Sequence, residues 1–179
     1  MRAALVLALS LPAASGCAYQ AGRPEAGVSA PSERDHAGIK AALDAVYAVI
    51  SGPRGQQRDF ARMRTLFTPD ARLSAIGRDG AMRGGTLDDY IARSGTSLVA
   101  NGFTERGLVT RIEVYGDLAH AWSSYEGRFT QSDGSAGSVR GINSFQLVRQ
   151  SDGRWLVQSI LWQAETPAHP LPADMADPR

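Results

Sequence analysis

The sequence predicts an α+β domain in which helices come first and an antiparallel β-meander comes last. Two observations carry this. Between residues 36 and 99 apolar residues recur mainly at helical spacing; between residues 103 and 163 they fall in four long, β-rich runs with turn residues between them. A third sets the scale: 179 residues with 43% apolar and 21% charged side chains is the composition of one ordinary globular domain with extra segments at its ends.

Each element has its own signal. His36–Ile50 puts Ile39, Leu43, Val46 and Ile50 on one helical stripe, widened by Tyr47 and Val49, and Gly52-Pro53 ends it. Asp59–Phe67 repeats the pattern with Phe60, Met63, Leu66 and Phe67, until Thr68-Pro69-Asp70 breaks it. Ala71–Ile76 reads as a short strand. Thr86 is an N-cap for a third helix, with Asp89 in its acidic first turn, running to about Val99 and stopping near Asn101-Gly102. The strands follow: Phe103–Tyr115, Leu118–Thr130, Ser138–Gln150 and Arg154–Gln163. Gly116-Asp117 is a tight connection, and Ser151-Asp152-Gly153 suits a three-residue hairpin loop with Gly in the left-handed position.

The ends read differently. Residues 1–17, "MRAALVLALSLPAASGC", combine one Arg, an apolar run from Ala3 to Leu11 and small residues, the pattern of a secretory signal too short for a permanent span. The segment Ala14-Ser15-Gly16-Cys17 resembles a bacterial lipobox, although Ala14 stands where Leu is usual. That resemblance implies lipidation at Cys17 and export to the cell envelope on the outer-membrane or periplasmic side; Ala18 offers no Asp for inner-membrane retention. An ordinary secretory signal, giving a periplasmic or secreted protein, is the alternative. A lone Cys makes a poor disulfide partner in an exported chain, which leans towards lipidation. Residues 18–35 are rich in Gly, Pro, Ala and Ser and read as a flexible tether. Residues 166–179 form a Pro-rich tail expected outside the core of the 36–165 domain.

Several function classes find no support. A net charge of +1, from 19 basic and 18 acidic residues, gives no basic excess for nucleic acid. Three His and one Cys are too few for the common zinc spacings, and no phosphate loop, dinucleotide fingerprint or nucleophile elbow is present. No cofactor is implied.

The element order, with "YGDLAHAWSSYEGRF" and the hairpin "DGRWLVQSILW", resembles the nuclear transport factor 2-like (NTF2-like) superfamily over about residues 36–165. This superfamily includes ketosteroid isomerase, scytalone dehydratase and cyclases of the SnoaL type. The resemblance implies a cone, three N-terminal helices packed on a curved antiparallel sheet, with a small-molecule pocket inside and a homodimer interface on the outer sheet face. The relatives' acid–base sets, a Tyr with two Asp or a His–Asp pair, have no matching positions here.

Strand alternation then sorts the side chains. With unbroken register, Glu105, Arg111, Trp122, Glu126, Arg140, Gln146, Gln158 and Trp162 share one face. Tyr125, Asn143, Phe145, Leu147, Trp155 and Val157 share the other, which is the more apolar. The resemblance directs Glu126 into the pocket. The candidate ligand-binding set is therefore Glu105, Trp122, Glu126, Arg140, Gln146, Gln158 and Trp162, with a Glu126–Arg140 pair and tryptophan walls. Tyr125 and Asn143 fall at the dimer face. A cross-strand ion pair on a solvated sheet is the plain alternative for Glu126 and Arg140, and a one-residue slip exchanges the faces.

Without a clear nucleophile, metal cluster or acid–base dyad, binding of a small organic ligand in the cone is favoured over catalysis. Two alternatives stand beside it: a cofactor-independent isomerase, dehydratase or hydrolase with a pocket carboxylate as base, and a dimeric assembly module of the envelope. A paired carboxylate with aromatic walls points to binding, an isolated carboxylate in a deep pocket to catalysis, and a filled apolar cone to assembly.

Overall fold

A computed structural model describes residues 31–176; the signal segment, Cys17 and most of the tether lie outside them. Helix α1 (Glu33–Ile50) starts inside the segment read as tether. Ser32 caps it by accepting the Asp35 amide, and Glu33 and Asp35 complement the positive end of the helix dipole. The short α2 (Phe60–Arg64) is capped by Asp59. Strand β1 (Phe67–Ile76) and strand β2 (Met82–Thr86) form a hairpin, and α3 (Leu87–Asn101) follows directly. Thr86 and Asp89 build a reciprocal capping box at its start. Then come β3 (Phe103–Tyr115), β4 (Leu118–Thr130), β5 (Ala136–Arg149) and β6 (Trp155–Ala164). A single 3₁₀ turn, Ala173–Met175, closes the described chain.

All six strands form one sheet in the order β2-β1-β6-β5-β4-β3. The expected all-antiparallel sheet needs a correction: β1 runs parallel to β6, which the long excursion through β2, α3 and the meander allows. Strand β2 was not anticipated, because "MRGGT" carries two glycines and no β-branched residue before its last position. The third helix thus follows two strands rather than one.

The helices pack on one face of the sheet. Ile39, Leu43, Val46, Tyr47 and Ile50 of α1 meet Phe145, Leu147 and Val157 of the sheet in a continuous core. Along β4 the inward positions Ala119, Ala121 and Ser123 are small and fully buried. Such small side chains leave room for the Tyr47 side chain of α1, whose hydroxyl reaches Ser123. Gly107 does the same on β3, where a Cβ would stand 3.2 Å from the Tyr47 ring. Arg58 is 7% exposed and has no carboxylate partner among the described residues; it donates instead to the carbonyls of Ile50, Gly52, Gln56 and Leu98. It thereby ties the carboxyl ends of α1 and α3 together, where unsatisfied carbonyls carry the negative ends of both dipoles.

The Pro-rich tail departs from expectation. Met175 is fully buried, Asp174 pairs with Arg111 of β3, and the Leu171 amide donates to Glu165 Oε1 at 2.9 Å. Residues 166–175 therefore lie against the face of the sheet away from the helices, rather than free of the core.

Candidate functional site

Two breaks in the strand ladder decide where the site lies. Between β3 and β4, Gly107 pairs with Tyr125 and Thr110 with Ser123, so Leu108 and Val109 together oppose Ser124 alone. The Ser124 hydroxyl fills the break, accepting from the Val109 N–H at 3.1 Å and donating to its carbonyl at 3.3 Å. Between β5 and β6, Gln146 pairs with Ser159 but Leu147 with Val157, leaving Gln158 as the extra residue. An extra residue reverses the inside–outside alternation beyond it. The first bulge turns Glu105 to the helix side, opposite Gly127 instead of the Arg128 that unbroken register would give it. The second turns Ile160 and Trp162 the same way, with Trp162 opposite Asn143.

This corrects the expected site. The pocket lies on the Tyr125–Asn143 face, between sheet and helices, and of the seven candidates only Glu105 and Trp162 line it. Tyr125 and Asn143, assigned above to a dimer face, are buried at 4% and 6% exposure and line the same cavity. Trp122, Glu126, Arg140 and Gln146 project from the other side. Glu126 is the Cα neighbour of Arg140, but its carboxylate binds Arg106 at 3.3 Å and Arg128 at 3.2 Å. Arg140 turns instead to Glu165, 3.7 Å away. Gln146 is the cross-strand neighbour of His120, whose Nε2 lies 3.1 Å from Ser144 Oγ. Gln158 sits at its bulge and accepts a hydrogen bond from Thr68 Oγ1 at 2.7 Å. Trp122 is 39% exposed, beside His120. It borders a second cavity, of about 240 Å³, between the outer sheet face and the tail at His169–Pro172. Trp162 and Ala164 reach both cavities and form part of the wall between them.

The main cavity has a volume of about 370 Å³, toward the lower end of the roughly 300–1,000 Å³ typical of small-molecule sites. Val46, Tyr47 and Ile50 of α1, Met63 of α2 and Tyr90 and Leu98 of α3 form one wall. The sheet supplies the other, chiefly Phe103, Tyr125, Phe145 and Trp162. Tyr90 and Trp162 meet edge to face with centroids 6.3 Å apart. Ser94 and the exposed Ser97 mark where the cavity reaches solvent beside α3. None of the described lining residues is Lys, Arg or His.

Polar groups in this apolar shell are few and connected. Asn143 Nδ2 donates to Glu105 Oε1 at 3.1 Å and to Tyr47 Oη at 3.3 Å. The Tyr47 hydroxyl donates to Ser123 Oγ at 2.9 Å, and Ser123 Oγ lies 3.0 Å from Thr110 Oγ1. Among the described residues no cation pairs with Glu105. Burial raises its carboxyl from 4.5 to about 7, opposed only by the Asn143 hydrogen bond. Burial likewise pushes the Tyr47 phenol up to about 12, and those of Tyr90 and Tyr125 upward as well, so all three stay neutral where Glu105 titrates. The arrangement supplies one carboxyl able to take or give a proton near neutral pH, in an aromatic box. Sequence reasoning missed Tyr47, Tyr90, Tyr125 and Asn143 as lining residues. Gly107, a glycine inside a strand two residues from Glu105, is the one signal of the first bulge.

No protein-family model and no curated protein matches this sequence. Solved structures do. A proposed aromatic ring hydroxylase from Novosphingobium aromaticivorans is 20% identical, with a TM-score of 0.63 over 77% of this chain and 94% of that one. An NTF2-like superfamily protein from Salmonella enterica is 16% identical, with a TM-score of 0.57 over 79% and 94%. An NTF2-like protein of unknown function from Methylobacillus flagellatus is 20% identical, with a TM-score of 0.53 over 76% and 96%. At these identities the likeness is one of fold: a curved six-stranded sheet with helices on one side, as in NTF2-like proteins.

Proposed function

We propose that the cavity binds a small, neutral, largely apolar organic molecule, and that Glu105 moves a proton on it. The protein is then a cofactor-independent acid–base enzyme of the isomerase or dehydratase kind. The observation that carries this reading is the isolation of Glu105: a carboxyl among aromatic walls, with one amide donor and no cation partner among the described residues. A carboxylate kept only for structure or solubility is paired or wet, as Glu126 is. The apolar lining favours uncharged ligands, and an ionised Glu105 repels anions. The cavity volume suits a molecule of one or two rings that stacks on Tyr90 and Trp162 and turns an acidic C–H toward Glu105.

The apolar start and Cys17 support export and lipid anchoring in the envelope. Exposed Trp122 and Leu161 on the outer face support a homodimer there. Neither is needed for the chemistry.

The test is proton exchange. The protein is incubated in D₂O with a panel of small lipophilic ketones and lactones, and NMR follows deuterium entering the carbon next to the carbonyl. Exchange that vanishes in Glu105→Gln, while quenching of tryptophan fluorescence by the compound persists, supports the assignment. Quenching without exchange in the native protein across the panel returns the cavity to binding alone.

A further inference from the structure

The hydrogen-bonded chain behind Glu105 has a direction, and that direction has a consequence for the carboxyl. A side-chain amide presents two N–H groups on one side and an oxygen on the other. Which side of Asn143 meets Glu105 follows from the network, since nothing else distinguishes them. Tyr47 Oη lies 2.9 Å from Ser123 and 3.3 Å from Asn143. Its one proton goes to Ser123, leaving a lone pair for Asn143. Asn143 then spends one N–H on Tyr47 and has its second N–H for Glu105. Ser123 passes the sequence on to Thr110, which borders a surface cleft with His36, Lys40 and Asp44.

We propose that Tyr47 is a positioning residue: by accepting from Asn143 it holds that amide with its NH₂ group toward Glu105, so that the ionised carboxylate always meets a donor. With the amide reversed, its oxygen faces Glu105 and favours the protonated acid. The Tyr47–Asn143 pair thus sets how readily Glu105 gives up its proton. The inference rests on Glu105 being the group that moves a proton in the proposed function. The other titratable groups facing this end are the phenols of Tyr47, Tyr90 and Tyr125 from α1, α3 and β4, with Asp44 further along α1 beyond Tyr47.

The test is a ¹³C NMR titration of the glutamate side-chain carboxyls in the purified protein, with Glu105→Gln assigning the resonance. Tyr47→Phe keeps the ring and removes the lone pair, so Glu105 is expected to titrate about 0.5–1 pH unit higher, the scale of a weakened charge-assisted hydrogen bond. Ser123→Ala, a smaller change that frees the Tyr47 proton to compete for Asn143, moves it in the same direction. A purely structural role gives the opposite sign in Tyr47→Phe, because loosened packing admits water and lowers the carboxyl. A downward move or no move in both variants overturns the proposal while leaving Glu105 as the reacting group. A Glu105 that titrates in the native protein like an ordinary surface carboxylate overturns the functional reading itself.

Discussion

Replacing Glu105 by Gln should stabilise the protein at alkaline pH and do little at acid pH. The carboxyl stands at about 7 in the folded protein against 4.5 when free. The folded state therefore holds this proton more tightly than the unfolded state does. Its contribution is fully present below the unfolded value and is lost as pH rises through about 7. At about 1.4 kcal/mol per pH unit, that difference corresponds to about 3 kcal/mol of stability lost between pH 4.5 and 8. Glutamine has nearly the same shape, accepts the Asn143 hydrogen bond through its oxygen and does not ionise. Its amide NH₂ faces apolar walls, a burial that offsets about 1 kcal/mol. The variant should thus be within about 1 kcal/mol of the native protein at pH 4.5 and about 2 kcal/mol more stable at pH 8, or about 4–8 °C in Tm for a chain of this size. Urea unfolding at a series of pH values measures the difference directly. A native-minus-variant difference that stays flat from pH 5 to 8 would refute the burial of this carboxyl.

Three further substitutions test the rest of the fold. Glu126→Gln breaks ion pairs with two exposed arginines and should cost less than about 1 kcal/mol in urea unfolding. Gly141→Ala places a Cβ 2.2 Å from the Gln163 carbonyl, where only backbone movement relieves the clash. It should destabilise by about 2–3 kcal/mol, seen as a lower urea midpoint. Arg58→Met leaves the carbonyls of Ile50, Gly52, Gln56 and Leu98 without their shared donor. It should cost about 3 kcal/mol or more, and hydrogen exchange should report earlier opening at the carboxyl ends of α1 and α3.

Periodicity located the helices and the meander because each is dictated by neighbours in sequence. The stripe of Ile39, Leu43, Val46 and Ile50 is buried as the helical spacing requires, and Thr86 caps α3. The Tyr125–Phe145 face is the more apolar of the two, which by itself would pack it against the helices, since burial follows apolar area. Directing Glu126 into the pocket by likeness overrode that reading, and the structure sides with the apolar count. Strand β2 and the docking of the tail through Met175 were hidden for a different reason. Neither "MRGGT" nor residues 166–175 carry a periodic signal, and Met175 is buried by what lies against it rather than by its own context.

The site itself was half legible, and the missing half is a matter of parity. Glu105 and Trp162 were named from the sequence, but on a face shared with Glu126. Each sits beyond one bulge, and each bulge adds a single residue whose effect on alternation no propensity reveals. The coincidence has a physical sense. A carboxyl on a strand of regular register near Glu126 points outward, where arginines pair it. Carrying one into an apolar cavity requires breaking the alternation, and the break at Leu108–Val109 is filled by the Ser124 hydroxyl, so that the backbone groups of Val109 stay bonded. The same bulge admits Tyr47 against Gly107, which brings the phenol to Ser123 and Asn143. One inserted residue thus delivers the carboxyl, and the close approach beside it delivers the groups that set its proton affinity. Deleting Val109 to restore regular register should therefore turn Glu105 outward. The neutral-range titration of Glu105 should then disappear, a change that NMR detects even where the shortened strand loses stability.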